Sequence, residues 1–322
     1  MSNWLNFIAA AVAASAPLLF GTLGEILTEK SGNLNLGVEG MMFMGGVAGI
    51  AGSYCYELAA GSGYNGWISA LVAVICAFGA GMFGALLYSV LTVSLRVNQN
   101  VAGLALTIFG TGFGNFFGEV LGNAAGGFVS VGERTKAVFN GVTGLDGPGK
   151  LLFSYNFMVY LGLVLAVVLA WFLNSSRKGL NLRSVGESPA TADAAGINVT
   201  RYKYLATCLG GGICGLGGMY IVMATQGGTW VHNCINGKGW IAVALVIFAT
   251  WSPLRALVGS LVFGGLSVMR FYFPFGGNIY APIYDIAPYI ATVLVLIAVS
   301  IRQRRESQPP NSLGLAYFRE ER

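Results

Sequence analysis

Chemistry at a protein site needs a nucleophile with a base, a metal-binding cluster or a cradle for phosphate, and this sequence supplies only fragments of each. His232 is the single histidine, so neither a His-based metal cluster nor a His-dependent triad is available within one chain. Cys55, Cys76, Cys208, Cys214 and Cys234 form no CxxC pair and fall mostly in apolar runs, which reads as small packing residues. GLDGPGK at 144–150 fits the opening of a phosphate-binding P-loop, but Leu151 stands where Ser or Thr would hold magnesium, and no strand precedes it. Gly210, Gly212 and Gly215 match GxGxxG inside an apolar run, where close helix packing accounts for them. No catalytic residue, cofactor or metal is expected.

What remains are polar groups in apolar surroundings. The stretch 183–199 carries Arg183, Glu187 and Asp193 between two long apolar segments. Pro189 suits the first turn of a short helix with Ser188 as its N-cap, and Gly196 supplies a stop. A helix of about six to eight residues is too short to hold itself together in water, so it needs a partner surface. At 29–46, glycines interrupt an apolar pattern that contains Glu39, and an acidic side chain at membrane depth faces a cavity, a partner or a backbone amide. At 236–265, glycines open a short apolar run, Pro253 breaks it, and a second run follows. Both places read as discontinuous helices, one in each half of the chain, a pattern that marks substrate routes in transporters.

The elements that position these groups follow from composition. With 55% hydrophobic and 10% charged residues among 322, and a mean hydropathy of +0.68, the chain has too few charges to solvate a globular surface. It reads as an all-α polytopic membrane protein with about nine to ten segments near the length that crosses a bilayer. The first, about 4–27, lacks a positive region before it and reads as a retained span kinked at Pro17 rather than a signal peptide. Others are expected at about 36–58, 67–95, 101–121, 153–173, 204–224, 254–273 and 286–301, with 240–251 too short to cross upright as a helix. The 48 glycines suit helices that approach closely in lipid.

The net charge of +5 sits in loops, which argues for membrane orientation rather than a nucleic-acid partner. Placing 183–199 in the cytoplasm puts most Lys and Arg on that side, including Arg302, Arg304 and Arg305 after the last span. The N-terminus and the 122–152 loop are then outside, and the tail from 302 to 322 is cytoplasmic.

GNLNLGVEGMM at 32–42, VGESPATADAAGINV at 185–199 and GWIAVALVIFATWSP at 239–253, in that order and spacing, resemble the permease subunits of bacterial ATP-binding-cassette importers of the ribose and simple-sugar branch. Within it they are most similar to nucleoside-import permeases that work with a purine-nucleoside-receptor-like lipoprotein, as is the tail PNSLGLAYFREER. The resemblance covers about Pro17 to Ile301 and implies a type II importer-like permease domain over 1–301, with ATP hydrolysis left to a separate subunit. It makes 184–197 the coupling helix that docks on that ATPase, through Gly186, Glu187, Ser188, Pro189, Ala192, Asp193, Ala194, Ala195 and Gly196. Ser188 and Thr191 stand where Asn and Ala are common in the family, and both are small. A second, different permease chain, a substrate-binding lipoprotein and a nucleoside substrate are also implied, in the bacterial cytoplasmic (inner) membrane.

A nucleoside route wants polar groups for ribose and base edges with apolar faces for the rings. Candidates are Glu39, Asn100, Thr107, Asn115, Phe116 and Phe117, with Gln226, Trp230 and Asn233 on the link before the short apolar run. The alternative within the family is a ribose- or galactose-type sugar permease. An ion-coupled carrier would show paired intramembrane charges, whereas Glu25, Glu39, Glu57, Glu119 and Arg270 read as scattered and mostly near span ends.

Overall fold

In hydrocarbon every backbone polar group must be satisfied within the protein, so long apolar runs become helices. The computed structural model describes residues 2–142, 148–273, 281–302 and 308–318. Its helices in chain order are α1 (Ser2–Glu29), α2 (Val38–Ala60), α3 (Gly66–Ser89), α4 (Gln99–Ala124), α5 (Glu133–Phe139), α6 (Pro148–Phe153), α7 (Phe157–Ser175), α8 (Arg177–Glu187), α9 (Pro189–Ala194), α10 (Val199–Tyr220), α11 (Lys238–Phe248), α12 (Pro253–Tyr272) and α13 (Ala281–Arg302). Wider π-type turns carry α3 on to Ser94 and α10 on to Thr225. Among the described residues six helices, α1, α3, α4, α7, α10 and α12, are long and apolar enough to cross a membrane. The α2 and α13 helices are of comparable length, and α11 is a shorter apolar helix. The only β pairing among the described residues is an isolated bridge between Ser130 and Thr229. Of the P-loop-like stretch, residues 144–147 lie outside the described residues.

Small residues set the packing. In lipid, helices associate through close contact rather than water exclusion, and glycine lets backbones touch. A Cβ on Gly110 of α4 would enter the backbone of Gly40 of α2, and one on Gly45 of α2 the backbone of Gly215 of α10. The GxGxxG glycines of α10 do the same work. Gly210 meets Gly24 of α1, Gly212 lies against the Phe78 ring, and Gly215 meets the Ala77 carbonyl of α3. The inner helices α2 and α10 are accordingly buried over most of their lengths, while Leu71 and Ile75 of α3 and Val164, Val167 and Trp171 of α7 face outward. An apolar exterior of this kind is what a bilayer solvates.

Boundaries differ from the sequence reading at three places. The α2 helix starts only at Val38, and residues 33–37 are non-helical. The α10 helix starts at Val199 rather than near Tyr204, because Asn198 Oδ1 accepts from Arg201 N at 2.9 Å and caps it. The polar segment holds two helices rather than one, since the amphipathic run Arg177–Glu187 forms α8 ahead of α9.

Candidate functional site

Two interruptions of helical structure meet in the middle of the bundle. The first is the non-helical run at 33–37, which passes from the α9 end of the molecule alongside α4 before α2 begins. Its backbone is satisfied by side chains. Leu34 N donates to Gln99 Oε1 at 2.7 Å, Asn35 N to Glu25 Oε1 at 3.2 Å and Gly37 N to Asn35 Oδ1 at 2.9 Å. The Leu34 carbonyl accepts from the Tyr88 hydroxyl, and the Leu36 carbonyl from the Thr107 hydroxyl at 2.8 Å. Non-helical backbone at membrane depth survives only when its polar groups are matched in this way.

The second interruption is the link 226–237, which enters the bundle from the opposite end. Val131 N donates to the Gly228 carbonyl at 2.9 Å and Trp230 N to the Val129 carbonyl at 3.0 Å, tying the link to the 122–142 loop. The indole of Trp230 lies against Gly118 of α4. Asn115 then holds Asn233 at two points, Nδ2 to Asn233 Oδ1 at 2.7 Å and Asn233 N to its Oδ1 at 3.0 Å. At the bottom of the link Gly237, with φ at +79°, turns the chain into α11. Here the interruptions join, because the Glu39 carboxylate accepts from Gly237 N at 2.8 Å and Gly239 N at 2.6 Å. A carboxylate at the first amides of a half-helix satisfies orphan donors and complements the helix dipole. The α11 helix ends at Phe248, and a turn with left-handed backbone at Thr250 and Trp251 brings the Trp251 indole to donate to Glu29 of α1 before α12 begins at Pro253.

At the far end of the molecule the polar segment forms a small module. Pro189 occupies the first turn of α9, and the Ser188 hydroxyl bonds that of Thr191 at 2.8 Å. Gly196 follows with φ at +82°. Val185, Ala192 and Val199 make a satellite core with Ile197, Tyr202 and Tyr317 around it. The tail lies across this core. Ser312 N donates to the Gly186 carbonyl at 3.0 Å, the Tyr317 hydroxyl to Asp193 Oδ2 at 3.0 Å, and Asn311 N to Glu187 Oε2 at 3.4 Å. Gly186 packs against the backbone of Lys30 and Gly32, which joins the module to the first interruption. Burial holds the Lys30 ammonium below its usual range, a shift that the Glu187 carboxylate opposes. Glu187, Ala194, Ala195 and Gly196 stay exposed, a surface of small side chains with one acid.

Of the route candidates, Glu39, Thr107, Asn115 and Trp230 line the seam between α2, α4 and the entering link, each with its polar or ring contact to backbone or neighbour. Asn100 sits exposed in the first turn of α4. Phe116 is 61% exposed on the outer face of α4, edge-on to Phe117. Gln226 N closes the π-type turn on the Ile221 carbonyl at 2.8 Å. His232 Nδ1 lies 3.2 Å from Glu119 Oε1 on the surface.

Glu25, Glu39, Glu57, Glu119 and Arg270 all stand near helix ends, as the sequence suggests, but that position does not expose the first two. Glu25, Glu29 and Glu39 are all in the bundle interior, and Glu25 Oε2 accepts from Asn35 Nδ2 at 2.9 Å. Glu25 with Asn35, Glu29 with Trp251, and the tail contacts of Ser312 and Tyr317 had no place in the sequence reading. The spacing of Glu25 and Glu29, one helical turn apart at the end of an apolar run, was the available signal.

The two-point amide pair makes a prediction. Asn115→Ala is expected to free the link 226–237 and raise maleimide labelling of Cys234, which is buried, severalfold in a background where exposed Cys55 is serine. Unchanged labelling would mean that Asn115 does not hold the link.

A helical bundle with an apolar exterior, two broken passages meeting at its centre and a polar module at one end defines a multi-pass membrane protein of the transport class. A family model for the permease component of branched-chain amino acid transport systems matches residues 7–300. The chain belongs to this family of ABC transporter permeases. It is 31% identical to the guanosine ABC transporter permease protein NupQ of Bacillus subtilis over 98% of this chain and 97% of that one. It is 33% identical to the nucleoside ABC transporter permease protein NupC of Lactococcus lactis over 91% and 92%. It is 37% identical, over 84% of this chain and 78% of the relative, to a Haloferax volcanii protein named as a glucose ABC transporter permease, TsgC13. The family implies work with an ATPase and a substrate-binding protein, and it sets aside the ion-coupled carrier.

Proposed function

We propose that this chain is the transmembrane permease subunit of an ATP-driven importer of nucleosides. The observation that carries the substrate is the near end-to-end match to NupQ, in which 97% of that guanosine permease is covered. The α9 module is the coupling helix. It has the short capped helix, exposed small side chains and dependence on neighbouring surfaces that docking on an ATPase groove requires. The tail shares its side of the membrane, since residues 311–317 bond directly to it, and that side is the cytoplasm. The loop 122–152 and Trp230 then face outward, toward a receptor lipoprotein.

In this reading ATP binding moves α9, and Gly186 passes the motion to the 30–37 run and so to α2. That run lies along α4, and α2, which follows it, carries Glu39, which holds the first amides of α11. Opening the seam between the α4 and α11 sides gives alternating access without any chemical step in this chain. A second, different permease chain covers the exposed apolar face of α4, where Val101, Leu104, Ile108 and Phe116 stand in helical register.

The test is uptake of labelled guanosine and uridine by cells with and without the chain, under ATP depletion or a protonophore that spares ATP. Chain-dependent uptake lost on ATP depletion, kept with the protonophore and competed only by nucleosides is the expected result. Competition by a simple sugar instead would favour the second reading, a sugar permease, for which the identity to TsgC13 speaks. Loss with the protonophore at normal ATP would overturn both.

A further inference from the structure

One lysine in the molecule is out of place. Lys203, in the first turns of α10, is 4% exposed, and among the described residues no carboxylate or hydrogen-bond acceptor pairs with it. Lysines near helix ends ordinarily run their stems along apolar surface and release the ammonium to water. A buried cation left without a partner is costly, and such a position persists where an anion compensates it.

Lys203 lines a cavity of about 720 Å³ at the α9 end of the bundle, together with Arg96, Asp193, Asn198, Arg201 and Tyr317. Among the described residues that line it, three cations stand against one carboxylate, and that carboxylate is already engaged, because Asp193 Oδ2 accepts from the Tyr317 hydroxyl at 3.0 Å. The N-terminus of α10, a helix of 22 residues, opens on the same space through Val199 and Thr200 and adds its dipole. Arg96 is held at the rim by an unusual backbone, φ +57°, and by stacking of its guanidinium on the Phe318 ring at 4.5 Å. On another side the wall is apolar, formed by Val93 and the exposed Leu205.

We propose that this cavity binds a phosphate group, with Lys203 as its buried contact and Arg96 and Arg201 as its rim. The phosphate belongs either to the headgroup of an anionic phospholipid, whose acyl chains leave past Val93 and Leu205, or to a soluble phosphate. Its walls come from the α3–α4 turn, α10, the residues after α9 and the tail, so an occupant clamps the polar module to the membrane-embedded bundle. The site stands on geometry alone and does not depend on which solute the permease carries.

The experiment uses the complete purified transporter, this chain with its ATPase and partner permease. Native mass spectrometry counts phosphatidylglycerol retained through detergent exchange, and thermal unfolding is followed with inorganic phosphate against chloride at equal ionic strength. Retained lipid that phosphate displaces identifies the headgroup, whereas a phosphate-dependent rise in the unfolding midpoint without retained lipid identifies the soluble anion. In either case Lys203→Met is expected to weaken binding roughly tenfold or more, the loss of one charge-assisted contact. Arg201→Gln, at an exposed position that the fold does not need, is expected to weaken it less and serves if Lys203→Met does not assemble. Equal lipid retention and equal phosphate response in wild type and in the variants that assemble would overturn the proposal, as would neither ligand binding wild type.

Discussion

Gly186→Leu is expected to reduce uptake to background while the chain remains inserted in the membrane. A Cβ at Gly186 would run into the carbonyl of Lys30 and stand 3.2 Å from Gly32 N, and both are backbone atoms that cannot rotate away. The same residue's carbonyl receives Ser312 N, so the added side chain has bundle on one side and tail on the other. Overpacking a close contact costs about 1–3 kcal/mol when side chains can adjust, and here the cheaper response is for α8 and α9 to lift away together. The expected signature is uncoupling, with ATP hydrolysis by the assembled complex continuing while labelled solute no longer accumulates. Gly196→Ala is the matched control. Nothing lies within 4 Å of a Cβ there, so the penalty is limited to the left-handed backbone, roughly 1–2 kcal/mol, and uptake is expected to persist at a reduced level. Equal uptake by Gly186→Leu and wild type would show that the contact between the module and the 30–37 run carries no motion.

Glu39→Ala is expected to be the most damaging single truncation in the interior, and Glu39→Gln among the mildest changes there. The carboxylate accepts from two amides at the start of α11, and alanine leaves both without that acceptor, Gly239 N in buried surroundings and Gly237 N in half-buried ones. Each unsatisfied donor costs about 1–3 kcal/mol, enough to detach α11 from α2 and lose folded protein in the membrane. Glutamine keeps one carbonyl oxygen and turns its amide donor toward groups that are themselves donors, so it recovers part of the cap. Its uptake is expected to fall well short of abolition. If Glu39→Gln were instead inactive while fully inserted and stable, the charge itself would act on the solute, and Glu39 would move from a positioning residue to a route residue. Fluorescence-detected size-exclusion chromatography of the tagged variants separates the two cases, since it reads folding independently of uptake.

Much of this architecture was legible in advance because bilayers impose strong rules. Apolar runs of about the crossing length, separated by polar links, leave helices as the only solution, and the broken passages announced themselves through Gly32, Gly37 and Gly40 in one half and Gly237, Gly239 and Pro253 in the other. The first turn of α9 could be read from Ser188 and Pro189, because capping depends only on neighbours in the chain. The family could be read from three motifs, and the match over residues 7–300 bears that out.

What tertiary structure alone decided is how distant groups meet. Glu39 and Gly237 are far apart in sequence, as are Asn115 and Asn233, Glu29 and Trp251, and Gly186 and Ser312, and no local pattern pairs them. Their pairing follows from glycine contacts that draw α2 against α4 and α10, and from the need of each buried amide for an acceptor. The sequence by itself determined the class of protein, its helical passages, its interruptions and its polar module, since those follow from local hydropathy and backbone chemistry. That Glu39 caps a half-helix, that the tail closes over α9, and that Lys203 is buried against the cavity beside them depended on packing over long separations in the chain, where a side chain's role is set by what the fold brings beside it.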